Sequence, residues 1–124
     1  MNFEDVLFKA TPAIAELAYS FRTMILETDP MLEEGIYGGE KVRIALYHIG
    51  RSDNPAIGIA ASEKHCQIFI HHFEQVDTKG LKLHGKGKHA RHLKFFANDD
   101  LDEVRMKQLF AAVVTITKEK FAVD

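Results

Sequence analysis

Between Lys79 and Lys94 the chain carries six basic side chains, Lys79, Lys82, Lys86, Lys88, Arg91 and Lys94, together with His84, His89 and His92 and no acid. The remaining 108 residues hold ten basic and 18 acidic side chains, so a net charge of -2 conceals a +6 segment on a -8 body. Such separation favours an anionic ligand or an acidic partner. Gly85 and Gly87 let the backbone turn so that N–H groups and the side chains of Lys86, Lys88 and Arg91 converge on an anion. The stretch Gly80 to Lys86 also matches seven positions of a phosphate-binding P-loop. Its eighth position is Gly87 where a magnesium-binding Ser or Thr is required, and a strand rather than a helix is expected after it. Nucleotide hydrolysis is therefore not expected.

Other reactive side chains give less. His84, His89 and His92 are close in sequence, but the surrounding cations repel a divalent ion, and zinc sites normally include thiolates or carboxylates. The alternative metal surface is Glu27, Asp29, Glu33, Glu34 and Glu40, which offers the hard oxygens that iron or magnesium prefer. Cys66 beside His65 is no activated thiol, because strand alternation sends the two side chains to opposite faces. No serine elbow or paired-histidine zinc motif occurs, and no cofactor motif is present.

These residues need a frame of helices and strands. With 124 residues the chain fits one domain, spanning 1–124, large enough to bury a core without staples. Thr11-Pro12 is a helix start, and Ile14, Leu17, Ala18, Phe21, Met24 and Ile25 follow at three- and four-residue spacing up to Asp29-Pro30. From Lys41 the period becomes two, with Val42, Ile44 and Leu46 expected inward and Arg43, Ala45, Tyr47 and Ile49 outward. A turn at 51–55 leads to a second strand at 56–61, and Ser62-Glu63-Lys64 to a third at 65–72, with Cys66, Ile68 and Ile70 inward. A fourth strand covers 92–96, with Leu93 and Phe95 inward. Short loops make these neighbours antiparallel. A closing helix starts near Asp99-Asp100, Asp100 and Glu103 having capping-box spacing, and its stripe is Met106, Leu109, Val113 and Ile116.

This predicts an α+β fold: an antiparallel sheet of about four or more strands packed against N- and C-terminal helices. The face away from the helices would carry Arg43, Tyr47, Gln67, Phe69, His71, His92, Lys94 and Phe96, a platform for a small ligand. The loop 73–90 is long enough to be functional or to cover that face. On the closing helix, Phe110, Val114 and Phe121 widen the apolar arc, which points to a homodimer through that helix unless Phe3 and Phe8 cover it.

The run GKGKHARHLKF resembles an element of the bacterial YdhG-like family, the domain of unknown function 1801. Gly85, Gly87, Lys88, Arg91, His92 and Lys94 line up with that element, and Lys86 stands where the family has Thr. Asp29-Pro30, Glu34, Tyr37-Gly38-Gly39 and the strands between Ala56 and Ile70 extend the resemblance over residues 12 to 117. It implies a compact α+β domain with a curved antiparallel sheet. A branch of the family is frataxin-like and binds iron; it carries a Trp and an N-x-P motif where this chain reads Gly35-Ile36-Tyr37-Gly38-Gly39.

The leading expectation is a non-catalytic binding module for an anionic small molecule or an acidic protein segment, with ligand contacts from Tyr47, His71, Gly85, Lys86, Gly87, Lys88, Arg91 and His92. Arg91 is expected to face an anion or to reach Glu34, and His92 to share a pocket with Tyr47 or His71. The alternative is a frataxin-like iron or metal chaperone using Glu27, Asp29, Glu33 and Glu34. No nucleic-acid or membrane partner is expected. A single cysteine, the absence of a long apolar run, and acids near Met1 where a signal peptide is basic point to the cytoplasm.

Overall fold

A computed structural model describes residues 1–123. It is α+β. A one-turn helix α1 (Phe3–Val6) and the helix α2 (Pro12–Thr28) precede five strands: β1 (Glu33–Gly38), β2 (Arg43–His48), β3 (Pro55–Ala61), β4 (His65–His71) and β5 (Ala90–Phe96). A 3-10 turn at Phe73–Gln75 follows β4, and α3 (Glu103–Val123) closes the chain. The sheet is an open antiparallel meander in the order β1-β2-β3-β4-β5. No helix is long and apolar enough to cross a membrane among the described residues.

The helices start and stop where local chemistry directs. Thr11 Oγ1 accepts from the Ile14 amide at 3.4 Å, and Pro12 occupies the first turn, where its missing N–H leaves no bond unmade. At α3 the expected cap at Asp100 moves two residues on. Asp102 Oδ1 accepts the Arg105 amide at 3.0 Å, while Asp99 Oδ2 instead takes the Phe96 amide and closes the turn out of β5.

Both long helices pack on one face of the sheet. Ile14, Ala18, Phe21 and Ile25 of α2 and Leu109, Phe110 and Val113 of α3 meet Ile57, Ile59, Ile68, Ile70 and Leu93 in one core. The alternation expected for β4 and for Leu93 in β5 is observed; Phe95 is half-buried, packing on Phe21 at 4.7 Å. That of β2 is inverted. Ala45, Tyr47 and Ile49 are fully buried, whereas Val42 is 69% exposed and Ile44 and Leu46 lie on the opposite face. The pairing explains it: Ala45 opposes Ile59 and Tyr47 opposes Ile57, so the isoleucines of β3 fix which side of β2 turns inward.

The expected dimer surface on α3 is also corrected. Phe110 and Val114 are 0% and 2% exposed within the chain, Phe110 sits 6.3 Å from Phe21, and the Phe121 ring lies against Gly50. Phe110 and Val114 are ordinary core, while Phe121 stays 38% exposed. The 73–90 loop covers the outer sheet face only at its β5 margin, where His84 stacks on His92. Phe73, Val76, Leu81 and Leu83 turn toward the core, Arg105 holds the carbonyls of Asp77 (2.9 Å) and Lys79, and His84 pairs with His92 along the free edge of β5.

Candidate functional site

The expected site residues separate into four places. Tyr47 is in the core. Its hydroxyl donates to Glu34 Oε2 at 2.7 Å, and Arg22 grips the same carboxylate through two nitrogens at 2.7 and 3.0 Å. Burial opposes the charge on Glu34, but the bonds from Arg22 and Tyr47 outweigh it and hold the carboxyl below its usual range. Burial, and then the adjacent carboxylate, push the Tyr47 hydroxyl up. Tyr47 therefore shares no pocket with His71 or His92. Arg43, also expected outside, turns to the helix side, where it donates to the carbonyls of Gly39 and Asp5 and stacks over Phe8.

Arg91 does not reach Glu34. Its Nε donates to the Gly87 carbonyl at 2.9 Å, and its guanidinium lies 4.6 Å from the Phe73 ring centroid. Gly85 has φ +101, and a Cβ at Gly87 would stand 2.8 Å from the Ala90 carbonyl oxygen. Both glycines serve the tight return from His84 to Ala90, with Lys86 exposed at its tip. His92 lies on the outer face, its ring between Phe69 (5.1 Å) and His84 (5.5 Å, stacked). Its Nε2 is buried without a hydrogen-bond partner.

The remaining two, His71 and Lys88, lie at the end of the sheet where β4 stops and β5 begins. A depression of about 400 Å³ there is lined by Arg51, Asn54, His71, His72, His89 and Lys120, and a smaller one of about 80 Å³ adds Lys88 through the shared His72, His89 and Lys120. The fold assembles it from the β2–β3 turn, the end of β4, the loop before β5 and the last turns of α3. Two acids border it. Asp53 is 3.1 Å from Arg51, and Glu74 is exposed on the rim. Lys88, His89 and Lys120 make no ion pair among the described residues.

Local structure at this spot is unsatisfied. His72 adopts φ 58, ψ 30, a left-handed conformation that costs a residue with a Cβ roughly 1 kcal/mol. Its Nε2 is buried with no partner. Burial, and then Lys120 and His89, hold its imidazole below the usual histidine range. Burial together with His72 and His89 brings His71 down to about 4. For both imidazoles burial is the larger cause, and the neighbouring basic groups add to it.

A larger cavity, about 550 Å³, lies elsewhere, between Leu81, Leu93, Phe95 and Met106; Asp99, Asp100 and Asp102 border it together with Lys82, Lys94 and Arg105, so its lining carries no excess of either sign. Of the acidic alternative, Glu34 is occupied by Arg22 and Tyr47, and Asp29 by Lys118 Nζ at 2.8 Å and the Met31 amide. Among the described residues no three His, Cys, Asp or Glu side chains gather as a metal-ligand set. Cys66 is buried in the core, and burial pushes its thiol up to about 12.

His72, His89, Arg51 and Lys120 were not among the expected contacts. His89 lay in view within the basic run. Lys120 did not, since only the packing of α3 against the sheet brings it across from the chain's far end. Comparison with protein-family models, with curated proteins and with solved structures returns no match for this chain.

Proposed function

We propose that this protein is a non-catalytic binding module whose ligand is a small anion, a carboxylate or phosphate compound, held at the sheet end by His71, His72, Lys88, His89 and Lys120. One observation carries the reading: the fold brings five cationic or protonatable side chains to two adjoining depressions that share His72, His89 and Lys120, and leaves them without carboxylate partners among the described residues. Lys88 and Lys120 are the fixed charges of the group, and an anion beside them is attracted to both and favours protonation of the neighbouring imidazoles. The unpartnered Nε2 of His72 and its left-handed backbone support the same reading, since strain of this kind collects at ligand clamps.

The run from Gly85 to Lys94 remains the ground for placing the chain with YdhG-like proteins of bacterial origin. The buried free thiol of Cys66 fits a reducing cytoplasm. The acidic-segment alternative uses the same cations, with Lys86 and Lys88 reaching outward.

Thermal melting in sulfate, phosphate and citrate tests the proposal, because a ligand that binds only the folded state raises its melting temperature. A saturable rise that disappears in Lys120→Ala is expected. A rise that is unsaturable and equal in Lys120→Ala would be general salt stabilisation and would remove the site.

A further inference from the structure

We infer that the cavity on the free edge of β5 is a second binding site, which takes a zwitterionic α-amino acid with an apolar side chain in the place that a residue of a sixth strand would hold. In an antiparallel edge strand the residues alternate: one bonds the neighbouring strand, and the next turns both its N–H and its C=O outward. In β5 the outward positions include His92, Lys94 and Phe96. His92 exchanges both of its bonds with His84, at 2.7 and 3.0 Å. Phe96 is closed by Asp99, whose Oδ2 accepts the Phe96 N–H at 2.7 Å and whose amide donates to the Phe96 C=O at 3.0 Å. Lys94 stands between them. Its N–H and C=O face the same edge, and neither finds a hydrogen-bond partner among the described residues.

The gap has a local cause. Continuing the His84–His92 bridge would set Lys82 opposite Lys94, but the bridge is isolated, because Leu81 and Leu83 turn into the core. Arg105 Nη2 draws the same loop toward α3 by the carbonyls of Asp77 (2.9 Å) and Lys79 (3.4 Å). What remains is a cavity of about 550 Å³, within the roughly 300–1,000 Å³ of small-ligand sites. With both neighbours closed, the edge offers one donor and one acceptor, too few for an added peptide strand, which bonds through successive alternate residues. A free amino acid matches the pair: its carboxylate accepts from the Lys94 N–H, and its ammonium donates to the Lys94 C=O. The flanking charges run the same way. Lys82 acts on the His84 ring, at the end toward which the Lys94 N–H points, while Asp99, Asp100 and Asp102 lie past Phe96, on the C=O side. Arg105, the cation at that end, is engaged with the loop carbonyls, and Asp100 makes no hydrogen bond or ion pair among the described residues. Leu81, Leu93 and Met106 on the helix side and Phe96 on the other give the ligand's side chain apolar walls.

Proton–nitrogen correlation spectra of the full chain, titrated at pH 7 with L-leucine, L-methionine and L-phenylalanine, test this. A saturable shift of the Lys94 amide is expected with at least one of them. Binding should be about tenfold or more weaker for the deaminated and for the decarboxylated analogue of that amino acid, each of which lacks one end of the pair. Lys94→Ala keeps the N–H and should still bind. Lys94→Pro removes that N–H at an edge position where no bond is lost, and should not. Lys120→Ala should leave this response intact, which separates the site from the anion site at the sheet end. No saturable shift with any of the three at about 10 mM would overturn the inference, as would equal binding of the two analogues or unchanged binding in Lys94→Pro. Should Lys94→Pro fail to fold, the analogues decide alone.

Discussion

Two polar clusters in this molecule are built on opposite terms. At the β1 side, Arg22, Glu34 and Tyr47 satisfy one another completely, with three hydrogen bonds converging on one carboxylate. At the far end of the sheet, His71, His72, His89, Lys88 and Lys120 face one another with no such counterpart. A closed network is an interaction the fold has completed and serves stability. An incomplete one of a single sign lowers stability and is retained where something else completes it. Position in the sheet makes the difference concrete: Glu34 opposes Tyr47 in register and lies beneath α2, while the histidines sit where strands end and loops begin.

The largest effect on stability should come from the closed cluster. Glu34→Ala leaves the Tyr47 hydroxyl buried without an acceptor and frees Arg22, at a cost of about 2–3 kcal/mol, read by urea denaturation. Sulfate binding should be unchanged in this variant once stability is allowed for. A loss below about 0.5 kcal/mol would mean that the ion pair behaves as a surface one.

The open cluster should announce itself through pH. The folded chain holds His71 near 4, whereas in the unfolded chain it titrates at about 6.5. Between those values the unfolded state binds the extra proton, so stability is full above about pH 6.5 and falls as pH drops toward 4. His72, His84 and His92 shift in the same direction. The lowered carboxyls of Asp29 and Glu34 act in a more acid window, below the ordinary carboxylate range. A melting temperature about 5 °C lower at pH 5 than at pH 7 is expected. Sulfate, dianionic throughout, should offset this fall, because an anion in the depression favours the protonated imidazoles. A flat profile would show that the histidines are not crowded.

Arg91→Ala should be milder, about 1 kcal/mol, because it removes a stack on Phe73 and one bond to the Gly87 carbonyl. The basic run thus divides between Arg91, which supports the loop, and Lys88, which faces the depression. Lys88→Ala with Lys120→Ala should change stability least, within about 0.5 kcal/mol, yet abolish the sulfate response. Stability lost without any change in sulfate response would assign these lysines to structure.

Much of the frame was legible from the sequence because each signal was of one phase. β4 alternates His65, Gln67, Phe69 and His71 against Cys66, Ile68 and Ile70, and only one choice buries the aliphatics. β2 offers apolar residues in both phases, and its tyrosine reads as polar until Glu34, thirteen residues earlier, supplies an acceptor. β1 was not visible at all: Glu-Glu-Gly-Ile-Tyr-Gly has no alternation, and it becomes a strand by pairing with β2. The site was half legible for the same reason. The basic run marks the loop, but which of its members converge depends on Phe73, which draws Arg91 away, and on α3, which delivers Lys120.

The central claim is tested most directly by nuclear magnetic resonance of the imidazoles and amides during a sulfate titration at constant ionic strength. Saturable shifts confined to His71, His72, Lys88, His89 and Lys120 are expected, with the His71 and His72 rings moving toward the protonated form and no movement at Glu34 or Tyr47. Shifts that are absent, or spread evenly over every exposed lysine without saturation, would contradict it.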